Sequence, residues 1–134
     1  MHEIDIHKQA IVQMLQQRVP GLLAVYAFGS QVQGAARADS DLDLAVLVAG
    51  YADPLLLWTL AGELAEQVGV PVDLLDLRAA STVMQYQVVM RGERWWALDD
   101  QAGRFEVAVL SEKTALDSAR SALMADIKAR GSVY

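Results

Sequence analysis

Three aspartates and a Gly-Ser pair are spaced so that they can do chemistry together. Phe28-Gly29-Ser30 is followed, after ten residues, by Asp41-Leu42-Asp43, and Asp73 comes about thirty residues later inside another apolar run. In an extended strand successive side chains alternate faces, so Asp41 and Asp43 point one way while Leu42 and Leu44 point the other. Two like charges at that spacing repel. At the mouth of a buried strand their energy stays high until a counter-charge arrives, and a divalent cation supplies it most directly. The pattern predicts hard-cation binding by oxygen ligands, with Mg²⁺ favoured when substrate phosphates complete the shell. Asp73 shares a face with Leu75, whereas Asp76 falls on the other. If the two strands are neighbours, Asp73 joins the cluster. Two ions roughly 3.5–4 Å apart would then align an attacking oxygen and a leaving pyrophosphate for in-line displacement. Asp73 would serve the nucleophile's side and help remove its proton. Gly29 lets the backbone come close to phosphate, and the Ser30 hydroxyl with neighbouring N–H groups can hold a triphosphate tail.

Other residues carry weaker signals. Arg37 is a candidate nucleotide contact, although an exposed loop arginine is ordinarily just solvated. Asp39 and Ser40 read as loop and turn residues, and Asp76 is expected to pair with Arg78 or another cation. His2 and His7 sit in a polar segment and are not offered as catalysts. Trp95 and Trp96 are adjacent, so in a regular strand they face opposite sides and at most one suits a given site; packing is the expected role.

The elements that must position these residues follow from local patterns. Ile11, Leu15 and Val19 at spacings of four, with Met14 beside them, predict an amphipathic helix from about Asp5 to Arg18, stopped by Pro20-Gly21. Leu22 to Phe28 reads as a buried strand that delivers its end to Gly29-Ser30. Asp41 to Val48 reads as a second strand. Asp53-Pro54 starts a helix running through Leu57, Leu60, Leu64 and Val68 to Gly69. Val70 to Leu77 is a third strand, and the capping-box spacing of Thr82 and Gln85 opens a helix that ends near Gly92. Arg94 to Leu98 is a short edge strand. From about Asp100 a long Ala-rich helix is expected, with Phe105, Val109, Leu116, Leu123 and Ile127 as buried positions. The order argues for an α/β (α+β) fold: one twisted mixed sheet with packed helices and a long C-terminal helix.

Bulk properties narrow the function. The 134 residues fit one domain, 1–134, with a helical extension over about 100–131. A net charge of −6 disfavours a broad grip on DNA or RNA, so divalent cations or local basic residues would have to manage phosphate. With no cysteine, disulfides, thiolate metal sites and a cysteine nucleophile are excluded. The first eight residues lack the pattern of a secretory signal, and no apolar run approaches the ~20 residues of a membrane span, so a cytoplasmic protein is expected.

As a set, Gly29, Ser30, Asp41, Asp43 and Asp73 resemble the signature of the minimal nucleotidyltransferase family within the DNA polymerase β-like superfamily. The wider run from Phe28 through Gly34, Arg37 and Ser40 to Leu47, and Val72 to Arg78, resembles it too. The likeness covers roughly residues 10 to 98. With the continuation Arg78 to Val83 and the compact size, the chain is most similar to antitoxins of HEPN/MNT toxin–antitoxin pairs. That resemblance implies the polymerase β-like fold, ATP as co-substrate with Mg²⁺, and transfer of AMP to a tyrosine of a partner HEPN ribonuclease in a hetero-oligomeric complex, silencing it. Two other functions stand beside this one. A non-catalytic antitoxin would inhibit by binding alone, but vestigial sites are free to lose clustered carboxylates that cost stability. A small-molecule nucleotidyltransferase usually needs an added substrate domain, which this length does not provide.

Overall fold

The computed structural model describes residues 3–29 and 41–129. Among these the elements run α1 (Glu3–Arg18), β1 (Leu22–Phe28), β2 (Leu42–Val48), α2 (Pro54–Val68), β3 (Val72–Asp76), α3 (Thr82–Arg91), β4 (Glu93–Ala97) and α4 (Gln101–Ala129). The strands form one mixed sheet in the order β3-β2-β1-β4. β1 runs antiparallel to both β2 and β4, while β2 and β3 are parallel. A parallel pair needs a crossover, and α2 supplies it. Its start and stop are local: Asp53 accepts from the Leu55 N–H at 3.0 Å, Pro54 occupies the first turn, and Gly69 closes the helix at φ 81°.

The alternation along β1 and β2 divides the core in two. Val25, Ala27, Leu42, Leu44 and Val46 pack against Ile11 and Leu15 of α1 and Leu57, Leu60 and Leu64 of α2. On the opposite face Ala24, Tyr26, Ala45 and Leu47 meet Val88 of α3 and Ala102 of α4. Gly92, just after α3, permits a close approach: a Cβ there would lie 2.5 Å from the Val88 carbonyl oxygen and 2.7 Å from that of Ala27. Among the described residues no helix is long and apolar enough to cross a membrane.

Three expectations need correction. The cap of α3 is Ser81, whose Oγ accepts from the Met84 N–H at 3.1 Å. The Gln85 amide donates to the carbonyls of Leu77 and Arg78 instead of closing a box with Thr82, because the turn after β3 brings those carbonyls within its reach. In β4, Val25 is opposite Trp96 while Tyr26 is opposite Arg94, which leaves Trp95 as an extra residue in a β-bulge. The bulge breaks the alternation, and both tryptophans pack against the α1 side of the core. On α4, Val109 is buried and Phe105 partly so, but Leu116 and Leu123 are 52% and 59% exposed. Ile127 is only half-covered. The sheet beneath is too short to cover them.

α4 is anchored near its start. The buried Tyr26 hydroxyl donates to Glu106 Oε2 at 2.6 Å, and Arg94 donates to the same oxygen at 3.1 Å. Burial, and then the neighbouring carboxylate, push the Tyr26 phenol far above its usual range, so it stays a donor. Tyr26→Phe is expected to cost about 1–2 kcal/mol of stability, measured by urea denaturation.

Candidate active site

Register brings the carboxylates together. Phe28 of β1 stands opposite Asp43 of β2, and Asp43 stands beside Asp73 of β3. The three form one row across the sheet on the α3/α4 face, at strand spacings of about 4.8 Å. Asp41 immediately precedes β2, where the Leu42 N–H already donates to the Pro71 carbonyl at 2.9 Å, so the chain enters the ladder at that point. Asp43 is half-buried and Asp41 and Asp73 are exposed.

Burial raises the Asp43 pKa above the ordinary carboxylate value, and the charges of Asp73 and Asp41 raise it further. None of the ion pairs found among the described residues involves any of the three. Gly29, where β1 ends, takes φ 81°, and a Cβ there would collide with Asp43 Oδ2. Glycine is required for its backbone and for the space it leaves to the carboxylate.

Among the described residues no group of three or more histidine, aspartate or glutamate side chains forms a ready-made cage for an ion. The donor set nevertheless fits Mg²⁺. It offers oxygen ligands only, carries negative charge that lacks a cation, and is open on one side, and Mg²⁺ keeps part of its shell for waters and substrate phosphates.

Ser30 and Arg37 lie outside the described residues, as do Asp39 and Ser40. Asp76 faces away from the row, as expected, but it does not pair with the Arg78 side chain. Its oxygens accept from the backbone N–H groups of Ala52 at 2.8 Å and Arg78 at 3.1 Å, fixing the loop into α2. The Arg78 guanidinium donates to the Val48 carbonyl and lies 5.4 Å from the Phe105 ring centre. Sequence reasoning missed the Tyr26–Glu106–Arg94 link, on the row next to Phe28 and Asp43 and on the same face. A phenol in the middle of an otherwise apolar strand was the available signal, since a buried hydroxyl needs a partner.

A family model described as polymerase beta nucleotidyltransferase matches residues 9–101. The protein adenylyltransferase MntA of Shewanella oneidensis is 37% identical over 125 residues, which cover 93% of this chain and 90% of that one. A chain of a toxin–antitoxin complex crystallised with AMP-PNP superposes with a TM-score of 0.79 at 37% identity, covering 90% of this chain and 98% of its own length. A chain of the complex between tri-AMPylated Shewanella oneidensis HEPN toxin and MNT antitoxin also matches, with a TM-score of 0.74 at 34% identity, covering 92% of this chain and 98% of its own length. The chain therefore belongs to the polymerase β-type nucleotidyltransferases, on the branch of the MntA-like protein adenylyltransferases.

The folded chain holds the Asp43 proton more tightly than the unfolded chain does, so ionising it weakens the fold and stability falls as pH rises through the folded-state titration. Asp43→Asn should raise the melting temperature of the metal-free protein at pH 7 by about 1–3 °C, with the gain disappearing below a pH of about 4. Gly29→Ala should lower stability by about 1–2 kcal/mol from its backbone conformation alone, in the same melting assay.

Proposed function

We propose that this chain moves AMP from ATP onto a hydroxyl of a HEPN-type toxin and silences it, with Asp41, Asp43 and Asp73 as the catalytic and metal-binding carboxylates. The observation that carries the reading is the Phe28–Asp43–Asp73 row beside Gly29, in a chain 37% identical to a protein adenylyltransferase. The expected acceptor is a tyrosine, and the setting is the cytoplasm, where ATP and Mg²⁺ are available.

Gly29 leaves room for phosphate to approach the carboxylates, and Ser30 and Arg37 are assigned to the triphosphate on the strength of the motif. One or two magnesium ions, bound to Asp41, Asp43 and Asp73, would neutralise these carboxylates and the triphosphate and so favour departure of pyrophosphate. The acceptor oxygen adds to the α-phosphorus while the bond from that phosphorus to the bridging oxygen breaks. Pyrophosphate leaves with the electron pair, and the hydroxyl proton passes to the Asp73 carboxylate. Asp43 is half-buried within the sheet, whereas Asp73 is exposed on the edge strand, on the side from which an acceptor can approach.

Incubation with α-labelled ATP, Mg²⁺ and the purified HEPN-type partner should label the partner. Changing Asp41 and Asp43 together to Asn is expected to reduce the labelling rate by about a hundredfold or more, with recovery of the partner's ribonuclease activity. Inhibition that persists undiminished in this double variant would instead favour the binding-only antitoxin.

A further inference from the structure

We infer that the acceptor segment docks as an added strand on the free edge of β3, with its flanking side chains in the groove between β3 and α2. The inference rests on the AMP-transfer reading and names how the protein substrate reaches that site. β3 is an edge strand. The Leu42 N–H donates to the Pro71 carbonyl and the Leu77 N–H to the Val46 carbonyl, each at 2.9 Å. Parallel pairing uses alternate residues of a strand, so Asp73 and Leu75 bond to β2 while the N–H and C=O groups of Val72 and Leu74 point outward from the sheet. An extended segment pairing with Val72 and Leu74 would continue the Phe28–Asp43–Asp73 row by one strand. Its residue in that row would stand about 4.8 Å from Asp73 on the same face, where an acceptor hydroxyl is needed.

The groove alongside supports that geometry. It has a volume of about 770 Å³, follows α2, and includes Pro54, Trp58, Gly62 and Glu66 on one side and Pro71 and Asp73 on the other. Trp58 is 77% exposed, an aromatic surface that the fold itself leaves uncovered. Gly62 lies within α2, yet nothing stands within 4 Å of where its Cβ would be. Helix packing therefore does not call for a glycine there, although glycine is a poor helix former, whereas close passage of another chain would call for one. The ionisable groups lining the groove are Glu63, Glu66 and Asp73, and Arg18 already holds Glu63 in a two-bond fork at 3.1 Å. Glu66 favours an acceptor with a basic residue in the segment that flanks the modified hydroxyl.

The test measures AMP transfer to the HEPN-type partner by Trp58→Ala and Gly62→Gln. Neither substitution should unfold the chain, because Trp58 is exposed and glutamine favours the helix more than glycine does. Each should raise the KM for the partner about tenfold while kcat stays within about twofold. Hydrogen exchange should show new protection of the Val72 and Leu74 amides when the partner is added. Transfer to the partner with unchanged KM in both variants, or no added protection at these amides, overturns the docking mode and leaves the AMP-transfer reading standing. Absence of any transfer by the unmodified chain overturns that reading and the docking mode together.

Discussion

The repulsion among Asp41, Asp43 and Asp73 is the constraint around which the rest of the structure is arranged. Asp43 sits between the other two and is the one held partly out of water, so it feels both burial and like charge. Nothing in the fold relieves that strain with a cation from the chain, among the described residues. What the fold supplies is position. The β1–β2 register sets Asp43 beside the end of β1, the α2 crossover makes β3 parallel and puts Asp73 in the same row, and Gly29 leaves room for the carboxylate. A phosphate-bearing ligand with its cation would turn this repulsion into binding, as expected of a site that is charged before its substrate arrives.

Much of this was legible because it depends on short-range pattern. Alternation along Asp41-Leu42-Asp43-Leu44 fixed which residues share a face, and Asp53-Pro54 with Gly69 fixed the crossover helix. Asp73 was legible as a strand residue on the same face as Leu75, but its lateral match to Asp43 is a property of strand pairing that no local signal carries. The same limit explains Trp95 and Trp96. Alternation holds only while the ladder is regular, and the bulge opposite β1 places both on one side. The roles of Ser30 and Arg37 rest on motif alone, because both lie outside the described residues.

The C-terminal helix shows where periodicity misleads. Leu116 and Leu123 are seven residues apart, and with Val109 they make a stripe that reads as a buried face. Length decides otherwise. A helix of 29 residues extends about 44 Å, whereas a seven-residue strand spans about 23 Å, so roughly half of α4 has no sheet to lie on. The Tyr26–Glu106 bond and Val109 secure the first turns, and beyond them the apolar stripe continues into solvent.

That contrast bears on whether the chain is an enzyme or only a binding surface. A protein that acted by contact alone would need exposed apolar area, and the outer half of α4 already provides some. It would have no use for a half-buried aspartate held against two others, since replacing such a group with a neutral one relieves the fold. Clustered charge that weakens the metal-free protein persists where the reaction uses it, in the way that active sites generally keep costly arrangements. Gly29 strengthens the argument, because its positive φ and the space its missing side chain leaves serve the Asp43 carboxylate and make no contribution to the hydrophobic core. The positive φ of Gly29, the space it leaves for Asp43 and the clustered carboxylates lie together at one end of the sheet, where the proposed AMP transfer would use each of them.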